Sequence, residues 1–154
     1  MKVKFLLFFA CLCSFMGAWA QDFGLSLNIS TANQATINYD AASGIYTITT
    51  TGEDPFVSIN ALTSALPDDQ CVLTFDYQCA PATTGGLQIF FSPTYSEARS
   101  IKCADLANTS EWTTFSKEMK NTISNLGWGA AKSVMRIDWG GRSGVTIKVK
   151  NLRF

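Results

Sequence analysis

The sequence contains no histidine. That absence removes the commonest general base and metal ligand. Ser-His-Asp triads, Cys-His dyads and histidine zinc sites are excluded with it. Charge is scarce as well, at 16% of residues, with twelve basic side chains against twelve acidic ones. So balanced a chain has no electrostatic footprint for nucleic acid or for an anionic membrane surface. Beyond the N-terminus no apolar run approaches the roughly 18 residues of a membrane span. No repeat, heptad or low-complexity tract is present. Helical patterning is confined to Ala104–Asn108 and Lys117–Leu126, each long enough for a turn or two.

The N-terminus reads as an export signal. Lys2 and Lys4 form a basic start, Phe5–Ala10 opens an apolar run, and Ala18-Trp19-Ala20 supplies a small-x-small cleavage site. Residues 1–20 are therefore expected to be removed, leaving 21–154 as a single domain that is secreted, periplasmic or held at the cell surface. Cys11 and Cys13 lie early in the apolar run in poor lipidation contexts, so a soluble exported protein is expected. Cys71, Cys79 and Cys103 remain after cleavage. Along one strand Cys71 and Cys79 would stand about 26 Å apart at ~3.3 Å per residue, too far for a disulfide. Cys79 with Cys103 could close a loop worth about 3 kcal/mol, or all three could be buried thiols.

Short alternating segments separated by turn residues predict an all-β fold, a two-sheet antiparallel β-sandwich. Ala35–Tyr39, Ile45–Thr51, Pro55–Ile59, Leu87–Phe91, Trp112–Lys117, Ser133–Trp139 and Val145–Leu152 read as strands, and Gly24–Asn28 favours a leading one. Cys71–Cys79 is the clearest, with every odd position apolar or cysteine. Period two then places Leu73, Phe75, Tyr77, Leu87, Ile89, Phe91, Met135, Ile137, Trp139, Val145, Ile147 and Val149 in the core. Trp112 is also expected to pack inward.

The same alternation sends Asp76, Gln78, Gln88, Phe90, Arg136 and Asp138 outward. If their strands are neighbours, they form one polar surface with a single aromatic in it. Planar amide, carboxylate and guanidinium groups can each meet paired sugar hydroxyls with two hydrogen bonds, and an aromatic ring covers the C–H side of a pyranose. The plainer reading is a solvated sheet on which Arg136 and Asp138 form cross-strand ion pairs worth ~0–1 kcal/mol. Trp128, between Gly127 and Gly129, is either a platform presented on a loop or a cap on the open end of the sandwich. Tyr95 is placed to rim the same face. Asp76 with Asp138 is the one carboxylate pair to nominate for glycoside hydrolysis. No Asp-x-Asp-x-Asp loop is present, which leaves Glu53-Asp54 and Asp68-Asp69 as weak calcium ligands.

Three stretches carry a family resemblance. Val72-Leu73-Thr74-Phe75-Asp76-Tyr77 resembles the Tyr-x-Leu-x-Phe-x-Tyr strand of galactose-binding-like jelly-roll domains. Ser110–Ser116 resembles their Trp-x-x-Tyr/Phe strand start, and Arg136–Gly140 followed by Gly144–Leu152 resembles their closing hairpin. The stretch from Tyr46 to Phe154 is thus similar to carbohydrate-binding modules of secreted glycan-degrading proteins, such as those of Bacteroidetes. The resemblance implies a non-catalytic, lectin-like domain whose partner is an oligo- or polysaccharide bound on a sheet face or at loop tips, with calcium as a structural cofactor in some relatives. Most relatives are fused to an enzyme, so a structural, protein-interaction or adhesion role without sugar binding is the alternative expectation.

Overall fold

The computed structural model of the protein describes residues 23–61, 72–91, 94–119 and 135–154. Ten strands are described: β1 (Leu27–Asn33), β2 (Ala35–Asp40), β3 (Ile45–Thr50), β4 (Phe56–Ile59), β5 (Val72–Ala80), β6 (Gln88–Phe91), β7 (Ser100–Lys102), β8 (Thr109–Glu118), β9 (Met135–Asp138) and β10 (Thr146–Arg153). They form two antiparallel sheets of five. Sheet I has the order β1-β4-β9-β6-β7 and sheet II the order β2-β3-β10-β5-β8. The chain changes sheet at most connections, so the two layers are interwoven rather than stacked as separate units. This is the all-β sandwich that the alternation predicts.

The core lies between the sheets. All twelve residues assigned inward by parity are buried, and Phe75, Leu73, Ile89, Phe91, Ile137 and Ile147 are fully so. The tightest crossover is Gln34, the sole link between β1 and β2, whose φ of 45° turns the backbone from one sheet to the other. Its carbonyl accepts from the Thr51 amide at 2.7 Å, and its side-chain Oε1 accepts from the Asp54 amide at 2.9 Å. Between β2 and β3 the turn closes when the Gly44 amide donates to the Asp40 carbonyl at 2.8 Å, with Gly44 at φ 68°. At the same end of sheet II as this turn, Phe23 and Phe154 exchange both backbone hydrogen bonds, each at 3.1 Å.

Two expectations differ, and the open question of the cysteines is answered for two of them. Ala104–Asn108 holds no helical turn; a short 3-10 turn occurs instead at Glu97–Arg99, before the unforeseen strand β7. Trp112 is not in the core but 36% exposed. It shares parity with outward Thr114, and the β5–β8 pairing slips between Tyr77 and Cys79, so this end of β8 lies beyond the packed interior. Cys79 and Cys103 are free thiols, both held above the usual thiol pKa by burial. The export signal, Cys71, Asp68-Asp69 and Trp128 lie outside the described residues.

Candidate functional site

On sheet I the register aligns outward side chains into two rows across four strands. One row runs Phe56, Asp138, Gln88, Lys102, and the next runs Ser58, Arg136, Phe90, Ser100. Each is outward because its neighbours Val57, Ile137, Ile89 and Ile101 point into the core. Phe90 is 6% exposed yet stands apart from the core cluster. What covers it is the Arg136 guanidinium, 4.5 Å from its ring centroid.

Arg136 is the hub of this face. Its guanidinium also lies 4.0 Å from the Phe56 ring and 5.5 Å from that of Tyr95. Nε donates to Asp138 Oδ1 and Nη2 to Asp138 Oδ2, each at 2.7 Å, a bidentate fork. The pair is intrastrand, since both residues belong to β9, rather than cross-strand. Burial raises the Asp138 pKa, outweighing the opposing pull of Arg136. The remaining guanidinium N–H groups have no partner among the described residues. Beside this pair the Gln88 amide donates to Ser100 Oγ at 2.7 Å and to Glu97 Oε2 at 3.1 Å. Lys102 Nζ meets the same Glu97 oxygen at 3.1 Å.

Asp76 and Gln78 belong elsewhere. They point outward from β5, on sheet II, with the core between them and Arg136. The six outward residues therefore form two surfaces instead of one: parity decides in from out, but not which sheet a strand joins. Asp76 accepts from Thr114 Oγ1 at 2.8 Å and from Asn151 Nδ2 at 2.7 Å. These hydrogen bonds, that from Asn151 foremost, lower its pKa. Asp76 and Asp138 thus face opposite ways across a core about 10 Å thick, and they do not flank one cleft as a hydrolytic pair must. Among the described residues no three acidic or cysteine side chains gather as a metal-binding group, Glu53 and Asp54 included.

Sequence reasoning passed over Phe56. The signal was there, since Val57 and Ile59 on the same short strand are apolar and parity leaves Phe56 on the other side. Tyr95, 38% exposed, flanks Arg136 as placed.

No protein-family model and no curated protein matches the sequence. Solved structures do. A family 29 carbohydrate-binding module superposes with a TM-score of 0.55 at 16% identity, over 84% of this chain and 77% of that one. A variant of such a module complexed with cellulohexaose gives a TM-score of 0.55, and another complexed with mannohexaose gives 0.54, both at 16% identity over 84% of this chain and 79% of theirs. Further variants, made to probe ligand recognition in that module, replace an arginine and an aspartate two positions apart. The chain has the jelly-roll β-sandwich fold of these carbohydrate-binding modules.

Proposed function

We propose that the protein is an exported, non-catalytic carbohydrate-binding module whose glycan lies across the outer face of sheet I. The observation that carries this reading is Arg136, stacked against Phe56 and Phe90 and forked to Asp138, with guanidinium hydrogens that no described residue accepts. A solvated sheet has no need for an ion pair whose side chains are only 18% and 13% exposed, because burying charge is costly. A binding face does, since it holds donors and acceptors rigid before a ligand arrives. Tyr95 offers its open ring to the C–H side of a pyranose. Gln88, Ser58 and Ser100 offer hydroxyl partners. The structurally similar modules include variants complexed with cellulohexaose and mannohexaose. The bound oligosaccharides support a neutral hexose chain as ligand here.

A shallow face buries little of its ligand, so affinity is expected between mM and μM, about −4 to −8 kcal/mol. Titration calorimetry with cellohexaose and mannohexaose, with and without calcium, tests the reading. Binding that is weakened in Tyr95→Ala, with the fold intact, supports it. A blank on folded protein with both sugars, and on a broader glycan array, would shift the role to structure or adhesion.

A further inference from the structure

The second outward surface has a different electrostatic character. On sheet I the cations described above have carboxylate partners: Arg136 has Asp138, and Lys102 has Glu97. On sheet II the pattern breaks. Lys148 is exposed, and among the described residues its ammonium meets no carboxylate. Lys150 sits 4.0 Å over the ring of Trp112. Asp76, opposite Lys150 in the register, accepts from Thr114 and Asn151 and also feels the charges of Lys150 and Arg153, so Lys148 is the less balanced cation of the two. Lys148 and Lys150 stand about 7 Å apart along β10, and both project to the same side.

Beside them is a shallow hollow of about 200 Å³ lined by Gln78, Cys79, Ala80, Ser110, Thr146 and Lys148. The Gln78 amide donates to the Ser110 carbonyl at 2.6 Å, which pins the side chain at the rim with its carbonyl oxygen left over. Rows of hydroxyls adjoin it, for the register sets Thr36, Thr49 and Thr146 side by side and Thr47 next to Lys148. The exposed indole of Trp112 stands on the neighbouring strand.

We propose that this outer face of sheet II is a second binding site, for an acidic saccharide of the uronic-acid class. Lys148 and Lys150 receive the carboxylates, the hydroxyls and Gln78 receive the sugar hydroxyls, and Trp112 flanks the chain. Charge complementarity selects an anion; an exposed ring among hydroxyls selects a sugar over an acidic peptide. The site lies on the opposite side of the core from Arg136 and does not depend on the sheet I reading.

Affinity electrophoresis of the purified protein through gels containing polygalacturonate tests the assignment. Retardation is expected to weaken about fivefold or more in Lys148→Gln and in Trp112→Ala, and to fall as salt rises. Excess mannohexaose should leave it in place. Thermal melts establish that each variant is folded, and Lys148→Gln, at an exposed position, is the variant least able to disturb the fold. The assignment is overturned by wild-type protein that is not retarded, by folded variants retarded as strongly as wild type, by equal retardation with polyglutamate, or by displacement with mannohexaose.

Discussion

Arg136 and Asp138 grip each other through two parallel hydrogen bonds of 2.7 Å, although only Ile137 separates them on the strand. Both side chains stand on one side of β9, as period two requires, and the aromatic rings around the guanidinium shut out most of the water. Truncating either partner strands the other in that setting. Arg136→Ala and Asp138→Ala should each destabilise the fold by about 3 kcal/mol, while the double variant, Arg136→Ala with Asp138→Ala, should cost less than the sum. Urea denaturation measures all four corners of the cycle. Additive losses would refute the coupling.

The Arg136→Ala loss should also depend on pH, with a sign that follows from Asp138. Burial raises its carboxyl pKa in the folded state, so the folded protein binds that proton more readily than the unfolded chain. The penalty of the ionised form is present above the folded pKa and is relieved as pH falls through it. The gap between wild type and Arg136→Ala should therefore narrow on acidification.

Asp76 predicts the opposite slope. Hydrogen bonds from Asn151 and Thr114 hold its pKa below the usual carboxylate value. The stability it contributes is complete above the unfolded pKa of about 3.9 and is lost as pH falls through the lower folded value. Melting temperatures of wild type and Asp76→Asn, taken from pH 6 down to 2, should differ most at the upper end and converge at the lower. A constant difference would show that the carboxylate charge is not what those two hydrogen bonds hold.

Tyr95→Ala separates binding from folding. The side chain is 38% exposed and belongs to no core cluster, so the melting temperature should stay put. Loss of a stacking ring is worth about 1 kcal/mol, which calorimetry with mannohexaose should read as a roughly five- to tenfold weaker affinity.

Two glycines distinguish backbone strain from collision. Gly44 has φ 68° and open space where a Cβ would stand. Gly86 has φ 78°, and its Cβ would strike the Cys103 carbonyl oxygen. Gly44→Ala should cost about 1 kcal/mol, the low end for a left-handed residue. Gly86→Ala should cost clearly more, because backbone must move as well. Equal melting temperatures for the two variants would deny that contact.

The sandwich was legible because its strands alternate cleanly. From Leu73 to Cys79 and from Val145 to Val149 every second residue is apolar, and these are the segments at the centre of sheet II. β7 was not legible, since three residues with one apolar member, Ile101, carry no period. Nor could alternation distribute strands between sheets. That is set by long-range pairing, such as Phe90 with Arg136, and it is why Asp76 and Gln78 were grouped with residues on the far side of the molecule. Trp112 misled for a related reason: a bulky ring suggests the interior, but its position beside a slip in the pairing leaves it at the margin.

The mutual hydrogen bonds of Phe23 and Phe154 bring the first and last described residues together at one end of the sandwich, beyond the central strand β10. Polypeptide joined ahead of Phe23 or beyond Phe154 would depart from that same end. A tether at either end would then act as a single swivel, with the broad sides of both sheets swinging clear of it. If both sheets bind as proposed, such a domain would lean one side on a neutral polymer and turn the other toward a charged one, joining two materials without a second copy of itself.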